Sequence, residues 1–200
     1  MDNYCILPIV EGHGEVEAIR ILLQRVWSEL LGGNYIHVLR PLRVPKGKIL
    51  KEEELIRYLK LAELKLGQEQ KYAKRAILVL FDADADLPCI LAKQVLEMAT
   101  ASGVQTPSFC VIANKEFETW FVASADTMSN EFSDLGGGVV ETAESEGRGK
   151  LWIKEHFQGH YSETADMPRL TKQMDLGLVR ERCPSFDKLC RELAELKDHV

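Results

Sequence analysis

The run "LFDADADLPC" over residues 80–89 places three carboxylates, Asp82, Asp84 and Asp86, at alternate positions directly after the apolar stretch "RAILVL". Like charges this close repel one another, so the pattern implies a positive partner. A hard divalent cation with oxygen ligands is one such partner, and Mg²⁺ takes one or two carboxylates together with waters and phosphate oxygens. More carboxylates accompany other apolar runs. Glu11 and Glu15 lie in "IVEGHGEVEA", and Glu116 and Glu118 lie in "ANKEFETWF". Two alternatives to a metal site exist for the aspartates. Asp86, before "LPCILAK", also suits the cap of a following helix. An EF-hand loop is excluded, because its glycine and glutamate positions are occupied by Leu87 and Lys93. A dehalogenase-type aspartyl nucleophile also uses D-x-D after a strand, but it opens its fold, whereas here a complete βαβα unit precedes it.

These residues need elements to hold them. "YCILPIV" (4–10), "YIHVLR" (35–40), "RAILVLF" (75–81) and "PSFCVIA" (107–113) read as strands. Helical spacing runs from Val16 to Leu30, over 49–67 and over about 88–102, with a short helix over 115–125. "PLRVPKGK" (41–48) reads as a loop. Alternation of this kind predicts an α/β fold: a mostly parallel sheet of about four strands flanked by helices, with a C-terminal helical appendage. Residues 1–126 form the expected core. Residues 127–200 form a flexible loop (129–149) and a helical appendage of the same domain. In a parallel sheet, ligands sit beyond the carboxyl ends of the strands, which is where the acidic groups fall.

"PIVEGHGEVEAI" with "LVLFDADAD" resembles the Toprim signature, a glutamate after the first strand and D-x-D after a later one. The spacing of Glu11 and Glu15 is similar to that of the OLD-type Toprim nucleases. The whole chain, with "PKGK", "ANKEFETWF" and "CPSFDKLCREL", resembles a bacterial family, domain of unknown function 4276, whose members often sit beside an ATPase in defence loci. The resemblance implies that Glu11, Asp82 and Asp84 are metal and acid–base carboxylates and that Glu15 is a further metal ligand. Asp86, Glu116 and Glu118 are additional candidates. It also implies one or two Mg²⁺ or Mn²⁺ ions and a basic residue beyond the D-x-D, for which Lys115, Arg148, Lys150 and Lys154 compete.

The expected activity is Mg²⁺-dependent hydrolysis of DNA or RNA phosphodiesters, with a separate ATPase in bacterial defence. The alternatives are a non-catalytic partner-binding subunit and a metal-dependent phosphatase or nucleotidyl transferase. Arg43, Lys46 and Lys48 are candidate phosphate contacts on a proline-stiffened loop. "GHG" (12–14) offers a backbone amide to phosphate at a helix start. His13 reads as an exposed loop residue, His156 and His160 as exposed polar residues, Trp120 and Phe121 as core, and Cys190 as a buried small hydrophobe. No G-x-x-x-x-G-K-[ST] motif occurs, so ATP dependence is expected from another chain, docked on 129–198. Truncation after Met128 is then expected to cost partner binding before metal binding, unless the distal helices are essential to the core.

Composition narrows the class. The net charge of −6 argues against a surface that binds nucleic acid everywhere. Five scattered cysteines without a C-x-x-C pair suit free thiols in a reducing compartment. The start has no basic segment before its short apolar run, so a cytoplasmic protein with no membrane association is expected, as a monomer or a homodimer.

Overall fold

The structure, a computed structural model, describes residues 4–45, 47–133, 143–146 and 149–198. Strand β1 (Tyr4–Val10) leads into helix α1 (His13–Arg25), which continues as a π-helical turn (Val26–Leu30). Strands β2 (Ile36–Val38) and β3 (Leu42–Arg43) precede α2 (Glu52–Gln68). Then come β4 (Lys74–Asp82), α3 (Pro88–Ala101), β5 (Ser108–Ala113) and α4 (Glu118–Val122). The remainder is helical: α5 (Ala143–Glu146), α6 (Gly149–His156), α7 (Glu163–Gln173), α8 (Leu176–Arg182) and α9 (Pro184–Asp198).

The sheet is wholly parallel, in the order β2-β1-β4-β5, with β3 also beside β1. The expected loop over 41–48 therefore contains a fifth, two-residue strand. Its pairing places Val10 opposite Arg43, and Val44 donates its N–H to the Val10 carbonyl at 2.8 Å. The chain leaves β1 towards β2 and returns on the other side as β4. The junction of β1 and β4 is thus the switch point of the sheet, where parallel α/β folds form ligand crevices.

Alternation along the strands separates two cores. Cys5, Leu7, Ile9, Ile77, Val79 and Phe81 face α2 and α3. Ile6, Val10, Leu78 and Leu80 face α1 and the distal helices, with Trp27, Trp120, Phe186 and Leu189. Met167, Leu170, Met174, Val179 and Leu193, from the expected appendage, are buried in that second cluster beside residues of β1 and β4. Arg25 of α1 also donates to the Thr171 and Met174 carbonyls at 2.8 and 2.9 Å. Truncation after Met128 would therefore strip one face of the sheet, so partner binding is not the first property it would cost. The expected loop over 129–149 lies largely outside the described residues. Its described parts are α5 and a bridge from Phe132 to Phe157. Among the described residues, no helix is long and apolar enough to cross a membrane.

Candidate active site

Val10 pairs with Leu80, so Glu11 and Asp82 leave adjacent strands at the switch point, offset by one residue in the register. The two-residue period turns Asp82 to the same side as Leu78 and Leu80, towards α1, α4 and α7. Glu15, one helical turn after Glu11, faces the same space. Its carboxylate accepts the Gly12 N–H, the half of a capping box that a glycine N-cap allows. Glu118 of α4 completes the group. All four carboxylates are buried, Glu118 to 1 % exposure.

Lys150 sits among them. Its Nζ is 3.9 Å from Asp82 Oδ2, 3.9 Å from Glu118 Oε1 and 3.6 Å from Glu163 Oε1. None of these is a hydrogen bond by distance, so the ammonium lies centrally rather than committed to one partner. Glycine at 149 lets it come this close. A Cβ there would lie 2.6 Å from the Thr119 backbone nitrogen, so only glycine lets the start of α6 touch α4. Of the three described basic candidates, Lys115, Lys150 and Lys154, Lys150 is the one at the cluster; Arg148 lies outside the described residues. The positive charge that the sequence called for is thus supplied in part by the chain itself.

Among the described residues, one ammonium does not neutralise Glu15, Asp82 and Glu118. Burial pushes the Glu15 carboxyl up to about 7, and Glu11 and Glu163 add to this against the opposing Gly12 N–H and Lys150. Burial likewise lifts Glu118 to about 7 against the pull of Lys150. Asp82 is held well above the usual aspartate range by burial and by Glu15 and Glu118. For Lys150, burial would favour the neutral amine. Glu118, Asp82, Glu163 and Glu116 reverse this and hold the ammonium above its ordinary value.

Hydrogen bonds fix part of the arrangement. Asp82 Oδ1 accepts the Phe117 N–H at 2.8 Å. Tyr161 OH donates to Glu118 Oε1 at 3.4 Å. Glu118 Oε2 is buried with no hydrogen-bond partner. An anionic oxygen in that state is costly unless a proton or a cation meets it.

The remaining candidates divide. Asp84 is exposed and left-handed, at φ 50°, and its N–H bonds the carbonyl of left-handed Lys115 at 2.9 Å. Asp86 is exposed and does not cap α3; Leu87 holds the N-cap position with no side-chain bond. Glu116 is drawn off to accept the Lys150 N–H at 2.8 Å, which caps α6. The Gly12 amide is taken by Glu15, and Gly14 is pressed against Met167, so "GHG" serves packing rather than a phosphate. Arg43 is half-buried on β3, Lys48 is exposed in the turn before α2, and Lys46 lies outside the described residues. His13 and His160 are exposed, whereas His156 is half-buried and stacks on Trp152 at 4.2 Å. Trp120, Phe121 and Cys190 are buried. Sequence reasoning missed Tyr161 and Glu163. They lie more than 40 residues from Glu118, and nothing local in "HYSETAD" signals the approach.

Among the described residues, no three His, Cys, Asp or Glu side chains form a ready-made metal cage. The oxygen-only donors, the excess of negative charge and the orphaned Glu118 oxygen nevertheless suit a hard cation that keeps most of its waters. No curated protein matches the chain. A family model described as a domain of unknown function, DUF4276, matches residues 10–194, and the chain belongs to that family.

Proposed function

We propose that the protein is a Mg²⁺-dependent nuclease of Toprim type that hydrolyses nucleic-acid phosphodiesters and works with a separate ATPase in bacterial defence. The observation that carries this is the burial of Glu11, Glu15, Asp82 and Glu118 at the switch point of the sheet, with one Glu118 oxygen unmatched. Carboxylates whose pKa values are raised by burial and by one another, gathered in a crevice, mark a candidate functional site.

Glu11, Asp82 and Asp84 would hold the ion, with Glu15 and Glu118 beside it. Mg²⁺ or Mn²⁺ would supply a Lewis acid and lower the pKa of a bound water. The chain's own residues do the rest. Lys150, kept protonated by its carboxylate neighbours, offers a positive charge to a phosphoryl oxygen. Phe117 N–H fixes one Asp82 oxygen and leaves the other facing the site. With no ion bound, burial sets Glu15 and Glu118 to exchange protons near neutrality, the range in which a general acid or base works. A nuclease of broad specificity would endanger its host, so the isolated chain is expected to be weakly active until a partner engages it.

The test uses purified protein with and without the neighbouring ATPase. Mg²⁺ or Mn²⁺ should permit cleavage of DNA or RNA, EDTA should stop it, and Asp84→Ala should abolish it without changing the far-ultraviolet circular dichroism. Cleavage that persists in Asp84→Ala would sink the mechanism.

A second reading is favoured by the place of Lys150 between Asp82, Glu118 and Glu163: it is the permanent counter-ion of a non-catalytic, partner-binding subunit. Calorimetry separates the two. Heat of Mn²⁺ binding that vanishes in Asp82→Asn supports the nuclease, and no heat in wild type supports the scaffold.

A further inference from the structure

The first turns of α1 and α7 touch, since a Cβ on Gly14 would lie 3.0 Å from the Glu163 carbonyl and closer still to Met167. On one side of this contact are Glu15 and Glu163, which belong to the carboxylate cluster. On the other side His13 and Thr164 open into a separate groove of 550 Å³, whose outer wall is Arg40, Pro41 and Arg43. The groove and the cluster therefore share two walls.

Strand register explains the cationic wall. Arg43 pairs with Val10, whose side chain lies in the core beneath α1, so Arg43 leans to the same side. Val44, the next residue, turns into the opposite core. The break between β2 and β3 carries Arg40 out to solvent. Among the described residues neither guanidinium takes part in an ion pair, although Glu17 lies on the same groove. Each presents five N–H donors in a planar fork that fits a phosphate in bidentate fashion. Two unpaired arginines lining a concavity, in a chain of net charge −6, form a local exception that calls for an anion.

We infer that the groove formed by His13, Arg40, Arg43 and Thr164 is a phosphate-binding subsite that holds a nucleic-acid strand next to the phosphodiester at the carboxylate cluster. This rests on the nuclease reading for its substrate class, but binding at the groove needs no cleavage. A repeating polyanion fits better than an isolated acid. One phosphate must meet the arginines while its neighbour crosses the contact of α1 and α7 towards the carboxylates, where only a cation-bridged anion is tolerated. The contacts go to the backbone, so they position the strand without reading its sequence.

The test is fluorescence anisotropy of a labelled single-stranded oligonucleotide at several salt concentrations, with Ca²⁺ replacing Mg²⁺ to limit cleavage. Arg40→Gln with Arg43→Gln should weaken binding on the order of tenfold. It should also flatten the slope of log affinity against log salt by about 1.4, two contacts at about 0.7 each. Arg40→Glu, at an exposed position outside any strand, should weaken binding without touching the fold. Lys60→Gln with Lys65→Gln removes the same charge from exposed positions of α2, on the opposite face of the sheet, and should leave binding nearly unchanged.

Equal losses in the two double variants, unchanged binding in the arginine variant, or no binding by wild type would overturn the inference. The two readings fail separately. If the arginine variant binds normally while Asp84→Ala stops cleavage, the groove falls and the nuclease stands. If no metal or partner elicits cleavage while the arginine variant still loses binding, the nuclease falls and the groove stands.

Discussion

The two faces of the sheet are built by different means. Under α2 and α3 the core is mostly aliphatic, with Tyr72 and Phe81 among its members, and its cover comes from the helices that join the strands directly. Under α1 the cover includes α7, α8 and α9, drawn from the last third of the chain, and this is the face that buries Glu15, Asp82 and Glu118. Trp120 Nε1 donates to Ser185 Oγ at 2.8 Å there, and Ser185 in turn donates to buried Glu144. The polar interior thus lies where distant segments meet. A buried charge needs a partner, and a partner that sits on a remote segment makes the site depend on the whole chain.

The largest expected effect tests this dependence. Removing residues after Met128 exposes Trp27, Trp120 and the α1 face together, and deletes Lys150. No cooperative thermal unfolding should remain, as read by calorimetry. On the opposite face a single cavity such as Leu59→Ala should cost only about 2–5 kcal/mol and keep a two-state transition. A truncated chain that still melts cooperatively would show that the distal helices are dispensable to the core.

The second effect concerns Lys150 itself. In Glu15 and Glu118 the folded-state pKa, about 7, lies above the ordinary value of 4.5. The folded state therefore holds its protons more tightly, and the contribution of these two groups to stability should be largest below about pH 4.5 and fall as pH rises towards 7. Lys150→Met removes the opposing charge, so its cost grows over the same window. Urea denaturation should show a loss of about 3 kcal/mol at pH 8 and little change near pH 4.5. A loss independent of pH would mean that Lys150 acts through packing alone.

Much of the fold was legible because its signals are local. Periodicity places β1, α1, α2, β4, α3 and β5 close to their observed ranges, and Glu11 and Asp82 are identified as convergent simply from following parallel strands. The rest was not legible for physical reasons. Three residues between Pro41 and Pro45 are too short a run to announce the two-residue β3. Asp86 has the type and position of a cap, but the chain takes an extended turn at Leu87 and starts α3 without one. Glu116 and Glu118 are two residues apart and alike in type. Only the approach of α6 makes the first a cap for Lys150 and leaves the second buried with an unmatched oxygen.

The smallest expected effect lies where the two faces meet, in the loops after β4 and β5. Asp84 and Lys115 are the two non-glycine residues with positive φ among those described, at 50° and 63°, and the Asp84 N–H bonds the Lys115 carbonyl. Left-handed backbone costs an ordinary L-residue about 1–2 kcal/mol, and aspartate tolerates it better than most. Asp84→Gly removes that cost but adds freedom to the unfolded chain worth roughly 0.5–1 kcal/mol, so the two terms nearly cancel. Any loss beyond about 0.5 kcal/mol therefore measures what the contacts of the Asp84 side chain contribute. Asp84→Val, branched at Cβ, should lose about 1–2 kcal/mol at the same backbone position. Urea midpoints measured at pH 6 to 7 without metal give both values. If Asp84→Gly were strongly destabilised, the Asp84 side chain would be holding the turn together, and its place beside Asp82 would have a structural cause instead of a ligand's.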